Sequence, residues 1–222
     1  MKTISLIILM SVSALLSGGN VMATEELSYV MVQEYEDFEL RRYDSYLAAE
    51  IEITSDFKSA GNKAFQSLAG YIGGNNRKKE EISMTSPVKQ QPATEQGEKI
   101  SMTSPVKQTP GSTENGKNSY IISFVMPSKY TMKNIPEPTN PRIKIREVPG
   151  RLVAARQYSG TWSEKNYRKN ETILLDAVEA AGLKTSGKPI YARYNPPWSP
   201  WFMRRNEVLV EVEDQVPRNK IQ

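Results

Sequence analysis

The sequence lacks cysteine and histidine altogether. Without cysteine the chain has no disulfide and no thiol nucleophile, so its fold must be held by its core alone. Without histidine it lacks the commonest metal ligand, the usual general base and the usual proximal haem ligand. The residues that remain show no nucleophile–base pair and no cluster with metal-ligand spacing. These absences favour a binding protein over an enzyme.

Strong charge of one sign is also missing. The 222 residues carry 29 Lys and Arg against 25 Asp and Glu, a formal net charge of +4. This surplus is small and dispersed, which argues against nucleic acid as a partner. A long hydrophobic run is absent too, because the apolar segment at residues 4–16 is shorter than the ~20 residues of a membrane-spanning helix. Nothing later in the sequence is long and apolar enough, so we expect no stable membrane insertion of the mature chain.

The N-terminus has the order of a secretory signal peptide. Lys2 precedes the apolar run, and Val21 and Ala23 occupy the −3 and −1 positions of a plausible cleavage site. We predict that residues 1–23 are removed during export to the periplasm or the cell exterior. Residues 24–222 are then long enough for a single domain. The alternative is a retained membrane anchor.

The mature chain repeats one order of elements. Alternating residues at 38–53 predict two strands, and apolar positions three or four apart predict a helix at 56–72, with Ser55 as its cap. The same strand–strand–helix–strand order recurs about 100 residues later, with a second helix at 163–181 capped by Ser163. Two units are too few for a repeat array, so the pattern indicates two halves of one α+β domain.

The nine residues ISMTSPVKQ occur twice, at 82–90 and at 100–108. Their alternation predicts strands that end, or lie at a sheet edge, at the proline. The segment between the copies, near 89–99, is rich in polar and turn-forming residues, and so is the stretch 107–118. Both are predicted to be flexible loops.

Six motifs in this sequence resemble the SOUL haem-binding family and cover the mature chain nearly end to end. They are FELRRY at 38–43, YIGGNN at 71–76, ISMTSPV at 82–88 and 100–106, SFVMPSKYT at 123–131, VAARQYSG at 153–160, and ARYNPPWSPWFMRRNEV at 192–208. The resemblance implies a distorted β-barrel of two similar halves with two helices packed outside. It also implies tetrapyrrole binding in an apolar cleft beside the first helix. Some members have been thought to use a histidine ligand; here methionine, tyrosine or lysine would replace it, or ligation would be absent.

Four candidate ligand contacts lie on the first helix and in the duplicated segments. Phe65 is a candidate for stacking on a porphyrin, and Lys63 for pairing with a propionate; the alternatives are barrel packing and plain solvation. Met84 and Met102 take matching places in the two copies. A thioether there suits core packing, contact with a flat ligand or, least of the three, iron ligation.

The segment at 194–205 supplies four more candidates. Its three prolines stiffen the chain, and Trp198 and Trp201 offer a large aromatic surface. They are predicted to form a wall for the porphyrin plane, with Arg204 and Arg205 as propionate partners. The alternative is that the two tryptophans plug one end of the barrel.

Glu207 starts the last predicted strand. A desolvated carboxylate there could act as an acid or base, but pairing with an arginine is the expected alternative. We therefore expect a monomeric, exported carrier or buffer of haem or another tetrapyrrole. A second possibility is a barrel that binds or hydrolyses another amphipathic molecule through Glu207, by analogy with bacterial effector-binding domains. A third is a protein-interaction module without a small ligand.

Overall fold

The structure is a computed structural model that describes residues 24–78, 97–114 and 117–214. In chain order its elements are β1 (Glu25–Glu26), β2 (Val30–Glu34), β3 (Glu39–Tyr43), β4 (Tyr46–Thr54), α1 (Phe57–Ile72), β5 (Asn76–Arg77), β6 (Thr103–Ser104), β7 (Val106–Glu114), β8 (Lys117–Val125), β9 (Glu137–Pro138), β10 (Lys144–Val148), β11 (Arg151–Tyr158), α2 (Glu164–Ala180), β12 (Thr185–Arg193), a 3₁₀ turn (Trp201–Met203) and β13 (Asn206–Val212). The signal-peptide prediction and the first ISMTSPVKQ copy, with Met84, lie outside the described residues.

The two helices start at side chains that satisfy their first N–H groups. The Asp56 carboxylate accepts hydrogen bonds from the backbone N–H groups of Lys58 and Ser59, so Asp56 caps α1 in place of the predicted Ser55. Ser163 caps α2 as predicted, accepting from the N–H of Asn166. Both helices match their predicted ranges to within one residue. Within the described part of the chain, neither has the length and apolarity to cross a membrane.

Nine strands form one antiparallel sheet in the order β10-β4-β8-β7-β12-β13-β11-β3-β2. Residues 44–45 join β3 to β4 and residues 149–150 join β10 to β11, although the strands of each pair lie far apart in this order. Such short connections require the sheet to curl until its two sides meet. Arg151 Nη2, on β11, accordingly donates to the hydroxyl of Tyr46, on β4, at 3.2 Å.

The curled sheet has one apolar face and one face that mixes charged side chains with a smaller apolar cluster. In β4, Leu47, Ala49 and Ile51 point toward the helices and belong to the main core, whereas Tyr46 and Glu50 point into the concave side. The other long strands alternate in the same way. The predicted α+β fold, a distorted barrel with two helices packed outside, is confirmed. The twofold relation between its halves stays a prediction.

The stretch 107–118 is not a loop, as its composition suggested. Residues 107–114 belong to β7 and residues 117–118 to β8, and the two strands form a hairpin. Its many polar residues suggested a loop, but they are compatible with a strand because alternate ones line the concave face of the sheet. Pro110 and Gly111 are tolerated because the register shifts between Pro110 and Thr113. In the second ISMTSPVKQ copy, Pro105 separates β6 from β7, as expected for a proline that interrupts a strand.

Candidate ligand-binding site

The segment 194–205 presents a large apolar surface to solvent. The exposed fractions are 83% for Trp198, 59% for Trp201, 61% for Phe202 and 67% for Met203. A plug in the end of the barrel would bury these side chains, so the plug alternative is wrong. The predicted aromatic wall is compatible with this exposure, because both tryptophan rings are accessible to a ligand.

The aromatic segment keeps its shape through polar contacts along its backbone. Arg204 donates from Nε to the carbonyl of Ser199 at 2.9 Å and from Nη2 to that of Pro197 at 2.7 Å. The Gly160 N–H donates to the carbonyl of Trp201 at 3.1 Å, which ties the segment to the end of β11. The exposed rings therefore stand on a preorganised turn.

Arg204 and Arg205 are engaged within the protein and are not two open propionate partners. The guanidinium of Arg204 also lies 4.3 Å from the centre of the Trp162 ring. In the described residues its Nη1 forms no hydrogen bond, so both N–H groups of that nitrogen remain as donors. Arg205 donates from Nε and Nη2 to Glu207 and from Nη1 to Glu26, and it lies over the Tyr194 ring at 3.7 Å. The prediction of Arg205 as a propionate partner is not supported, because its charge is already neutralised.

Glu207 is fully buried at the centre of a cluster of polar side chains, the Glu207 cluster. Its Oε2 accepts from Arg41 Nη1 at 2.9 Å and from the Tyr194 hydroxyl at 2.7 Å, while Oε1 accepts from Arg205. Desolvation alone would lower the pKa of Arg41, but the charge of Glu207 and their hydrogen bond raise it. Burial raises the pKa of Tyr194. Pairing of Glu207 with arginine is thus confirmed, and its position gives no support to a role in acid–base chemistry.

The N-terminal segment covers the Glu207 cluster. β1 pairs in parallel with β6, and Glu26 accepts from Arg205 at 2.9 Å. The Tyr29 ring lies 4.3 Å from the Arg41 guanidinium. A ligand approaching from solvent therefore meets this segment before it meets the carboxylate.

The predicted contacts on α1 face outward. Lys63 is exposed, and Phe65 is 38% exposed with its ring packed edge-on against Phe124 at 5.5 Å. Met102 is 41% exposed just before β6. Phe65 therefore packs against the barrel, as the alternative interpretation expected, but part of its ring stays accessible, and Met102 is too exposed for the core packing considered for it. In the part of the chain that the structure describes, no hydrogen bond, ion pair or ring contact joins them to the aromatic segment, so these interactions do not unite the predicted residues in one cleft.

Arg193 connects α1 with the Trp162 ring, on which Arg204 of the aromatic segment also lies. The sequence motifs did not single out Arg193 as a site residue. Arg193 donates to Gln108 at 2.8 Å and to the Tyr167 hydroxyl at 3.2 Å, and its guanidinium lies 5.3 Å from the Trp162 ring. Gly61 allows this approach, because a Cβ there would lie 3.1 Å from Arg193. Strand alternation could have identified Arg193, because it shares the helix-facing side with Tyr191, two residues earlier.

A separate cleft of about 580 Å³ opens beside β1 and the end of β8. Its apolar lining includes Leu27, Leu47 and Met126, and its charged lining comprises Glu25, Glu26, Asp44, Glu147 and Lys133. None of the predicted site residues that the structure describes lines it. The cleft could not be predicted from the sequence, because its residues come from five distant segments. In the part of the chain that the structure describes, no group of acidic side chains could hold a metal ion.

Solved structures show the class of fold to which this arrangement belongs. The C-terminal domain of EcmrR has a TM-score of 0.55 at 13% identity, covering 83% of this chain and 98% of that domain. An uncharacterised conserved protein from Listeria innocua has a TM-score of 0.53 at 14% identity, covering 79% and 92% of the two chains. A hydrolase from the same organism has a TM-score of 0.51 at 12% identity, covering 82% and 94%. Such low identities establish a shared fold alone.

The sequence comparisons identify the family within that class. The family model described as "SOUL heme-binding protein" matches residues 24–211, and the chain belongs to this family. Heme-binding protein 1 of Mus musculus is 28% identical over 175 residues, which are 77% of this chain and 82% of the mouse protein. The resemblance predicted from the sequence motifs is confirmed.

Proposed function

We propose that the protein is an exported carrier or buffer that binds haem or another tetrapyrrole without a histidine ligand. The observation that most supports this proposal is the exposed aromatic surface of Trp198, Trp201 and Phe202 on a preorganised turn. A porphyrin offers a large apolar plane with two carboxylates, and the nearby Arg204 retains the two Nη1 donors for a carboxylate. Family membership supports the same ligand class.

Charge favours the aromatic segment over the 580 Å³ cleft as the porphyrin site. The cleft is lined by four carboxylates and one lysine, so a dianionic porphyrin would be repelled there. Beside Trp198, the carbonyl of Pro197 accepts a hydrogen bond from the Arg204 guanidinium, which carries the opposite sign. Burying one aromatic-sized group yields about 1.5–3 kcal/mol, so a few such contacts support micromolar affinity without iron ligation.

Titration of the purified protein with hemin and with metal-free protoporphyrin tests this proposal. We expect micromolar affinity for both, a broad Soret band, and quenching of tryptophan fluorescence. Trp198→Ala should weaken both ligands alike by roughly tenfold, as the loss of one stacked ring implies. Met31→Ala removes an exposed apolar side chain of β2 and serves as the control. A sharp six-coordinate spectrum that is lost in Met102→Ala or Met84→Ala would replace the stacking proposal with thioether ligation.

Export is the second part of the proposal. Lys2, the short apolar run and Ala23 support cleavage before Thr24. N-terminal sequencing of the protein from its native host should begin at or near Thr24. Recovery of a chain that still begins at Met1 would contradict export with cleavage.

The acidic cleft supports a second candidate function, the binding of a cationic amphipathic molecule. Apolar side chains such as Leu27 and Met126 suit the apolar part, and Asp44 and Glu147 suit the positive charge. Fluorescence anisotropy with a cationic rhodamine, and with anionic fluorescein as its control, tests this alternative. A preference for the rhodamine that disappears in the Asp44→Asn, Glu147→Gln double variant would support it, and equal binding of both dyes would exclude it.

A further inference from the structure

A pocket of about 190 Å³ lies on the concave face of the sheet, away from the aromatic segment. Residues of β4, β7, β8 and β10 form one side, and residues of β11, β12 and β13 form the other. The contact between Arg151 and Tyr46 closes one end. Among the described residues, no predicted site residue lines this pocket, and nothing in the proposed tetrapyrrole binding uses it.

The pocket contains the amino group of Lys107, which has no counter-ion. Only 6% of this residue is exposed, and its Nζ donates to the Tyr46 hydroxyl at 2.7 Å. Within residues 24–78, 97–114 and 117–214, no carboxylate forms an ion pair with it. Burial, followed by the positive charge of Arg151, lowers the pKa of Lys107 to about 7, against the weaker opposing effects of Glu207 and Glu50.

The other charged groups around the pocket already have partners. Arg151 pairs with Glu211 at 3.3 Å, and Arg146 lies 3.8 Å from Glu50, which also accepts from the Ser123 hydroxyl. A further cation, Lys188, donates to a backbone carbonyl of β7. The two carboxylates are therefore engaged by two arginines, and the positive charges in excess belong to the two lysines. An ammonium buried in this way is stable only with an anion beside it.

We propose that this pocket binds a small organic carboxylate, whose oxygens accept hydrogen bonds from Lys107 Nζ and the Tyr46 hydroxyl. The apolar lining of the pocket, Ala48, Ile121, Val148 and Ile190, receives the hydrocarbon end of the ligand. A volume of 190 Å³ corresponds to about six molecules of liquid water, which is enough for a short-chain acid such as propionate or butyrate.

Binding of such an anion is coupled to a proton. The bound carboxylate stabilises the ammonium form of Lys107, so a chain with a neutral amine takes up a proton on binding. Tyr46, Arg151, Arg146, Glu50, Glu211 and Lys188 also face the pocket. Among these groups, burial raises the pKa of Tyr46, which keeps its hydroxyl protonated as a donor. Affinity should therefore fall about 50-fold between pH 7 and pH 9.

Calorimetric titration of the full chain with sodium propionate tests the proposal. Measurements at pH 8 in two buffers with different ionisation enthalpies report the protons taken up. We expect millimolar affinity and uptake of nearly one proton. Lys107→Met should lose at least tenfold in affinity together with the proton uptake, whereas Lys107→Arg should bind without taking up a proton. Lys165→Met, the same change at an exposed position of α2, should match the wild type.

Each other outcome overturns the proposal. Absence of propionate binding to the wild type excludes the site. Equal affinity in Lys107→Met and the wild type means that the anion binds elsewhere. Inorganic phosphate serves as the second ligand, because it shares the anionic oxygens but lacks a hydrocarbon end. Phosphate binding as tight as that of propionate would exclude the assigned ligand class, because the apolar lining would then contribute nothing.

Discussion

Two buried cations on the concave face, Arg41 and Lys107, have opposite electrostatic outcomes. Arg41 is 1% exposed and Lys107 is 6% exposed, so both are removed from water. Glu207 accepts from Arg41 at 2.9 Å, and the pKa of Arg41 is raised. Lys107 has a tyrosine hydroxyl in place of a carboxylate, and its pKa falls to about 7. Burial alone therefore does not decide the state of a charge; the neighbouring carboxylate does.

The difference separates a structural region from one suited to a ligand. The Arg41–Glu207 cluster is satisfied within the protein, with two further donors from Tyr194 and Arg205 and with Tyr29 above it. The Lys107 pocket leaves one charge without a partner and about 190 Å³ of space beside it. The following four predictions test this contrast.

Removal of the Glu207 carboxylate from the Arg41–Glu207 cluster should have the largest effect on the free energy of unfolding. Glu207→Gln removes the fully buried counter-ion of Arg41 and leaves it only Glu39, whose side chain is 35% exposed, so we expect the free energy of unfolding to fall by about 3 kcal/mol. Urea denaturation measures this loss. The control is Glu211→Gln, which breaks a pair with Arg151 whose carboxylate side chain is 41% exposed, and it should cost less than about 1 kcal/mol. Equal losses of unfolding free energy in the two variants would mean that the buried Glu207 carboxylate matters no more than the exposed one of Glu211.

Replacement of Lys107 should change how stability depends on pH. Between pH 7 and the ordinary lysine pKa of 10.5, the unfolded chain holds a proton that the folded chain has released. Stability therefore rises with pH in this window, by roughly 2 kcal/mol between pH 7 and pH 9 for a group of this pKa. Urea denaturation at the two pH values should show this rise in the wild type and in Lys165→Met. A rise of the same size in Lys107→Met would assign it to another group.

A carboxylate introduced beside Lys107 should make the Lys107 pocket resemble the Arg41–Glu207 cluster. Ser123 is the cross-strand neighbour of Lys107 and lines the same pocket. Ser123→Asp should raise the pKa of Lys107 by at least about one unit. Titration of the lysine ¹³Cε resonance, assigned with Lys107→Met, measures the change. Ser119→Asp, four residues away on β8, should leave that pKa near 7, and a similar rise there would show that the effect is not local.

An exposed ion pair should contribute least to the free energy of unfolding. Arg42 donates to Asp214 at 2.9 Å, with side chains 42% and 47% exposed. Asp214→Asn should lower the free energy of unfolding by less than about 1 kcal/mol, because water already screens this pair. A loss above about 2 kcal/mol in urea denaturation would mean that a carboxylate matters equally in buried and exposed positions.

The sequence predicts the local elements well and their partners poorly. The helices follow from apolar residues three or four apart and from a capping residue such as Ser163, all within one segment. The pairs that close the sheet, β3 with β11 and β4 with β10, join residues about 100 positions apart, so the sheet order could not be predicted from alternation. The burial of Lys107 was not predicted, for a related reason. This lysine lies in a stretch whose composition resembles a loop, and its burial becomes evident only when β4 and β11 close the concave face around it.

The site was only partly predictable for the same reason. Trp198 and Trp201 are exposed, and the prolines around them correctly indicated a stiff segment. Arg205 was assigned to a ligand because its charge is visible in the sequence. One of its partners, Glu207, is only two residues away on the chain, but the other, Glu26, is 179 residues away. A charge near a predicted site therefore remains ambiguous until its intramolecular partners are known.

The two short connections at residues 44–45 and 149–150 have a consequence for the order of folding. β3 pairs with β11, and β4 with β10, so each half supplies strands that complete the other half. Contacts this remote in sequence slow folding, because a long loop must close before they form. The N-terminal half, as it leaves the ribosome, has edge strands without partners until Tyr158 has been synthesised. We therefore expect the nascent chain to depend on protection from aggregation during that interval.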